Sequence, residues 1–119
     1  MDKFALTLAM SKKMIGGYLY KEIGRNNLIL FGVNKLQERK EKCSFENLLN
    51  ECFRLFPEAF CFSQYAGWPD ARKLDRPLRE LKGKNFINKD SQKFFFLTRA
   101  GRKIADDVGK KFSQRQLSI

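Results

Sequence analysis

An α+β fold, mostly helical and carrying one short two-stranded hairpin, is predicted for this 119-residue chain by two observations. Apolar residues recur at helical spacing along most of the sequence. Between residues 85 and 97 the period changes from about 3.6 to 2, the alternation of a strand. The length suits a single domain. Composition supports a packed core, since 43% of residues are hydrophobic and twelve are Phe. Disorder requires low hydrophobicity together with high charge, and only the charge is high here.

Residues 3–23 read as an N-terminal helical extension with Asp2 as N-cap, because Phe4, Leu8, Ile15, Tyr18 and Leu19 recur at near-helical spacing. Gly16-Gly17 weakens its middle, and the cluster Gly24-Arg25-Asn26-Asn27 is expected to end it. The domain proper is expected over 28–112, preceded by the extension 1–27 and followed by a loose tail 113–119. Its first helix should run from Leu28 to Lys40. The next is the clearest: Ser44 can cap it, and Phe45, Leu48, Leu49, Cys52, Phe53 and Phe56 form an i, i+3, i+4, i+7, i+8, i+11 series ending at Pro57. Phe60-Cys61-Phe62 suggests a short extended segment.

The turn Ala66-Gly67-Trp68-Pro69-Asp70 leads into a helix over 69–82, with Pro69 in its first turn and Trp68 as a core wedge at its entrance. Ala71, Leu74, Leu78 and Leu81 make its apolar stripe, and Gly83 is the expected residue past its end. Pro77 lies inside this helix and removes a backbone donor there. Either the helix kinks, or it starts late with Asp75 as N-cap; the stripe on both sides of Pro77 favours a kink. Strands are expected at Asn85–Asn88 and Lys93–Leu97, with Lys89–Gln92 as the tip. Since a strand alternates faces, at least one ring of Phe94-Phe95-Phe96 must point opposite to its neighbours. Packing of the hairpin on the core is favoured over base stacking for these rings. Thr98 opens a last helix that reaches about Phe112.

Charge narrows the function classes. The net charge is +11, and residues 69–112 hold thirteen Lys and Arg against six Asp and Glu, so the excess lies in the second half. Such a field favours polyanionic partners. Histidine is absent, which excludes histidine-based catalytic arrangements and zinc sites containing His. Cys43, Cys52 and Cys61 form no C-x-x-C pair; two of the three lie within or beside apolar segments, and the set reads as inert core or near-core thiols rather than metal ligands or a disulfide. No catalytic residue, cofactor or metal site is expected, and the chain does not read as an enzyme. The Phe4–Met10 run is too short for a membrane span and has Asp2 where a signal peptide needs positive charge, so a cytoplasmic protein without membrane attachment is expected.

Helix, helix, turn, basic helix, hairpin and helix is the order of a winged helix-turn-helix. The stretch Leu78-Arg79-Glu80-Leu81-Lys82-Gly83-Lys84-Asn85-Phe86-Ile87 resembles the helix-to-wing passage of winged-helix regulators. Phe94-Phe95-Phe96-Leu97-Thr98-Arg99-Ala100-Gly101-Arg102 is similar to the wing exit of MarR-type and PadR-type regulators. The resemblance covers about residues 44–108 and points to the superfamily. It departs from the usual pattern at Pro77 and in the length of segment 57–68.

That resemblance implies double-stranded DNA as partner, with the 69–82 helix in the major groove and the wing 88–93 on the backbone or minor groove. The spacing of Arg72, Arg76 and Arg79 sets them opposite the apolar stripe, with Lys73 beside them. The DNA-contact role carries over to Arg72, Lys73, Arg76 and Arg79 and to wing residues Lys89 and Lys93. Regulators of this kind commonly act as homodimers through helices outside the core, here the N-terminal segment. The alternatives are a winged-helix interaction module meeting an acidic protein, and an RNA binder.

Overall fold

The computed structural model describes residues 23–118, with side chains through Ser113. The N-terminal extension and its expected dimer interface fall outside the described residues. Within them lie four α-helices, a short 3₁₀ turn and a two-stranded antiparallel sheet, so the fold is α+β and mostly helical.

Helix α1 (Arg25–Glu38) is the centre of the molecule. Its run Leu28-Ile29-Leu30-Phe31-Gly32-Val33-Asn34 is buried without interruption, as is Leu36, so this helix is covered nearly all round. It packs against the three other helices and the second strand. It starts three residues earlier than expected. Gly24, at φ 89°, breaks the chain alone, and Arg25, Asn26 and Asn27 already belong to the helix rather than to a terminating loop. At the other end Lys40 takes φ 59°, while its N–H donates to Gln37 O and that of Glu41 donates to Leu36 O. These two bonds are a Schellman closure.

Helix α2 (Phe45–Leu55) begins at Ser44, whose Oγ accepts from the Asn47 N–H at 3.1 Å. It buries Leu48 and Cys52, and the turn Pro57–Ala59 follows it. Where α1 and α2 cross, a Cβ on Gly32 would lie 2.9 Å from Cys52 Sγ, so a larger residue there would have to displace that side chain. Glu51 is buried on α2 and receives both terminal nitrogens of Arg39, at 2.8 and 3.0 Å, with Arg54 at 3.0 Å. Burial pushes its carboxyl up, but the hydrogen bonds from Arg39 and Arg54 outweigh that and hold it below its ordinary range.

Helix α3 (Arg72–Gly83) follows the Phe60–Asp70 loop. Its start corrects the expected 69–82 range. Pro69 lies outside the helix, in a bridge to Cys61, and the Asp70 N–H donates to Phe60 O at 2.8 Å, so the chain is still extended there. The buried Asp70 carboxylate instead accepts from the Arg72 N–H at 3.0 Å, beside the first turn. The helix runs through Pro77, so the late start at Asp75 does not occur. Leu74, Pro77, Leu78 and Leu81 face the core, where a proline ring serves as one more apolar group. The left-handed residue past its end is Asn85 (φ 64°), not Gly83. Asn85 N–H donates to Lys82 O and Phe86 N–H to Leu81 O, which extends the helix one residue further and closes it as at α1.

Strands β1 (Ile87–Lys89) and β2 (Phe95–Leu97) pair Ile87 with Leu97, Asn88 with Phe96 and Lys89 with Phe95. They are shorter than the alternation suggested because the Asp90 side chain organises the tip. Its Oδ1 accepts from the Gln92 and Phe94 N–H groups, and Lys93 adopts φ 68°. Phe95 is buried and Phe96 exposed, the alternation expected of the Phe run. The hairpin is tied to the body by the Phe95 N–H on Cys43 O and the Leu97 N–H on the Gln37 side chain.

Thr98 caps helix α4 (Arg99–Ser118), its Oγ1 accepting from the Gly101 N–H and donating to Asn85 O. The helix continues past Phe112 to Ser118, where a loose tail was expected. Nothing from Ser113 to Ser118 is a helix-breaking residue. Phe112 packs edge-on against Phe31 at 5.1 Å and near Phe56 at 5.9 Å, which fixes α4 along α1.

Candidate nucleic-acid interface

Four buried residues of α3 point one face into the core, so Arg72, Arg76 and Arg79 are exposed on the other. The hairpin stands beside this face. Arg79 and Lys82 of α3, with Lys89 and Lys93 of the hairpin, line one cleft of about 320 Å³, floored by Phe45, Leu78 and Phe95. Asp75 is the single carboxylate on its wall and pairs with Arg79. The cleft therefore offers four cations over an apolar floor. Lys89 is steered by its own strand partner, its Nζ lying 5.2 Å from the Phe95 ring centre.

A second cleft, of about 580 Å³, opens on the N-terminal half of the same helix. Arg25, Arg72, Lys73 and Arg76 line it together with Ser63 of the preceding loop. Asp70, Asp75 and Glu80 line this second cleft as well, so its charge is mixed, and Arg79 and Asp75 line both clefts.

The six residues singled out from the sequence do not stand alike. Arg76 has no ion pair or hydrogen bond among the described residues. Arg72 is 82% exposed but is held by Asp70, which keeps the Asp70 carboxyl below its usual range. Lys73 is turned toward the loop, donating to Cys61 O at 2.6 Å. Lys89 and Lys93 lie across the first cleft from Arg79. Lys82 was missed, although it lies one turn beyond Arg79 on the same face. Arg25 was also missed; nothing in its local sequence links it to α3, and only the packing of α1 brings it there.

Trp68 overturns an expectation. It is 64% exposed rather than wedged in the core, and it stacks on Tyr65, itself 60% exposed, with ring centres 5.5 Å apart. The turn in which the Trp68 N–H donates to Tyr65 O puts both rings on the outside of the loop.

Among the described residues no group of three or more potential ligands is placed to hold a metal. Cys43 and Cys52 are buried and unbridged; burial, with Glu51 nearby, pushes the Cys43 thiol up to about 12. No described helix is long and apolar enough to cross a membrane. Comparison of the chain with known protein families, curated proteins and solved structures gives no match in any of the three.

Proposed function

We propose that the chain is a winged helix-turn-helix protein that binds double-stranded DNA, with α3 as the helix in the major groove and the β1–β2 hairpin as the wing. The observation that carries this reading is the shared cleft in which Arg79 and Lys82 of the helix face Lys89 and Lys93 of the hairpin. Two secondary elements presenting cations across one concave surface match a phosphate backbone running between them. The exposed side chains of Arg76 and Arg79 are long enough, and forked, to reach guanine edges.

A regulator of transcription in the cytoplasm is the role such a module most often has. Pairing of two copies through residues 1–24 would read two half-sites. The test is binding of a duplex DNA pool, a duplex RNA and an acidic polypeptide, each across a salt series. DNA should bind most tightly, with affinity falling as counterions are released. Equal or tighter binding of the acidic polypeptide would give the interaction-module reading the lead.

A further inference from the structure

The Phe60–Asp70 loop does more than connect α2 to α3. It is braced as a small hairpin: Asp70 N–H on Phe60 O, Phe62 N–H on Trp68 O and Trp68 N–H on Tyr65 O, with Cys61 bridged to Pro69. Lys73 anchors it to the helix through Cys61 O, and the Arg72 guanidinium lies 5.8 Å from the Phe62 ring centre. At its end the Tyr65 and Trp68 rings stack on each other with planes 25° apart, both exposed. Residues 63–69 carry no charge, and Ser63 of the loop lines the cleft that holds Arg25, Arg72, Lys73, Arg76 and Arg79 against Asp70, Asp75 and Glu80.

Two large rings held in water on a braced loop lack the burial that would repay their apolar area. A stacked pair presents one free face on each outer side. The ligand that complements such faces on a loop contacted by Arg72 and Lys73 is a nucleobase attached to phosphates. Inside an intact duplex every base has both faces covered by its neighbours. A free base face occurs only at an end, a junction or an unpaired nucleotide.

We propose that the Tyr65–Trp68 pair stacks on an unpaired base next to the duplex held by α3, so that a junction between double- and single-stranded DNA is the preferred partner. This rests on the DNA-binding reading and goes beyond it, because α3 and the hairpin alone would treat an internal site and a junction alike.

Trp68 is the only tryptophan of the chain, so its emission reports directly on the ring. The full chain is titrated with a relaxed, covalently closed duplex circle and with a linear duplex bearing a short single-stranded tail. The tailed duplex should quench Trp68 and bind about ten-fold more tightly per site, within the range that one stacked base contributes. The circle should bind with little quenching. Trp68→Ala should keep its thermal midpoint and its affinity for the circle while losing the preference, and Trp68→Phe should retain part of it. Equal affinity of the wild type for both DNAs, or a preference that survives in Trp68→Ala, overturns the junction proposal and leaves the rings as a contact for another protein. Binding to neither DNA overturns the DNA reading itself, and this proposal with it.

Discussion

Gly101 faces Phe86 so closely that a Cβ on it would lie 2.0 Å from the Phe86 carbonyl oxygen. That oxygen accepts from the Thr98 N–H, so the contact joins the start of α4 to the chain leaving α3, and the basic helix and hairpin are positioned from it. No side chain can give way there, because the obstacle is backbone.

Gly101→Ala should therefore destabilise the fold by about 1–3 kcal/mol, the usual cost of forcing extra volume into a packed site. Gly109 provides the control on the same helix. A Cβ there meets only Phe31 Cε1, at an ordinary 3.5 Å, so Gly109→Ala should stabilise by about 0.4–1 kcal/mol. Urea unfolding of both variants checks the pair; a Gly101→Ala protein as stable as the wild type would mean that this junction can open without cost.

Glu51 sets an acid sensitivity. Glu51→Gln should lower stability at neutral pH by about 1–3 kcal/mol, since Arg39 and Arg54 lose a charged acceptor in a buried position. The folded carboxyl titrates below its ordinary 4.5, so its contribution is complete above that value and disappears as pH falls through the folded one. Denaturation midpoints of wild type and variant should draw together as pH falls below the ordinary carboxylate range and meet once the folded carboxyl is protonated. A gap that stays constant into acid would assign the loss to packing.

On the proposed DNA-binding reading, Asp75 opposes the polyanion. It is the only carboxylate lining the cleft between α3 and the hairpin, and it holds Arg79. Asp75→Asn should tighten duplex binding at low salt by about two- to five-fold, the scale of an exposed charge pair, with the gain fading as salt rises. Weaker binding would show that Asp75 is needed to aim Arg79.

Most of this frame was legible in the sequence because its signals are local. The apolar series from Phe45 to Phe56, the Ser44 and Thr98 caps and the switch to alternation after Asn85 each depend on neighbours within a turn or two. The arginine face of α3 was legible for the same reason. What escaped depends on distant partners. Pro69 reads as a helix start until Phe60 and Cys61 pair with the chain around it. Trp68 reads as core until the turn from Tyr65 aims it outward. Asn85 and Lys40, not glycines, close their helices because Schellman bonds compensate the left-handed backbone. Lys73 shares the spacing of its neighbours but is captured by a carbonyl twelve residues away.

Lys73→Ala should accordingly behave unlike Arg76→Ala. Loss of the bond to Cys61 O should loosen the Phe60–Asp70 loop, read as faster amide exchange at Phe62 and Trp68, whereas Arg76→Ala should leave that exchange unchanged. Unchanged protection in Lys73→Ala would return Lys73 to the DNA-facing set.

The claim that α3 reads duplex DNA while the hairpin grips its backbone is tested most directly by comparing Arg76→Ala and Arg79→Ala with Lys89→Ala and Lys93→Ala. Binding is measured on a selected site and on a scrambled duplex across a salt series, with the thermal midpoint of each variant as control. The lysine variants should weaken both duplexes alike and reduce the salt slope by about one unit. Each arginine variant should lose about 1–3 kcal/mol of discrimination, so specific binding falls more than non-specific binding. Folded Arg76→Ala and Arg79→Ala proteins that keep both affinities would contradict the account, because the exposed face of α3 would then not be what meets DNA.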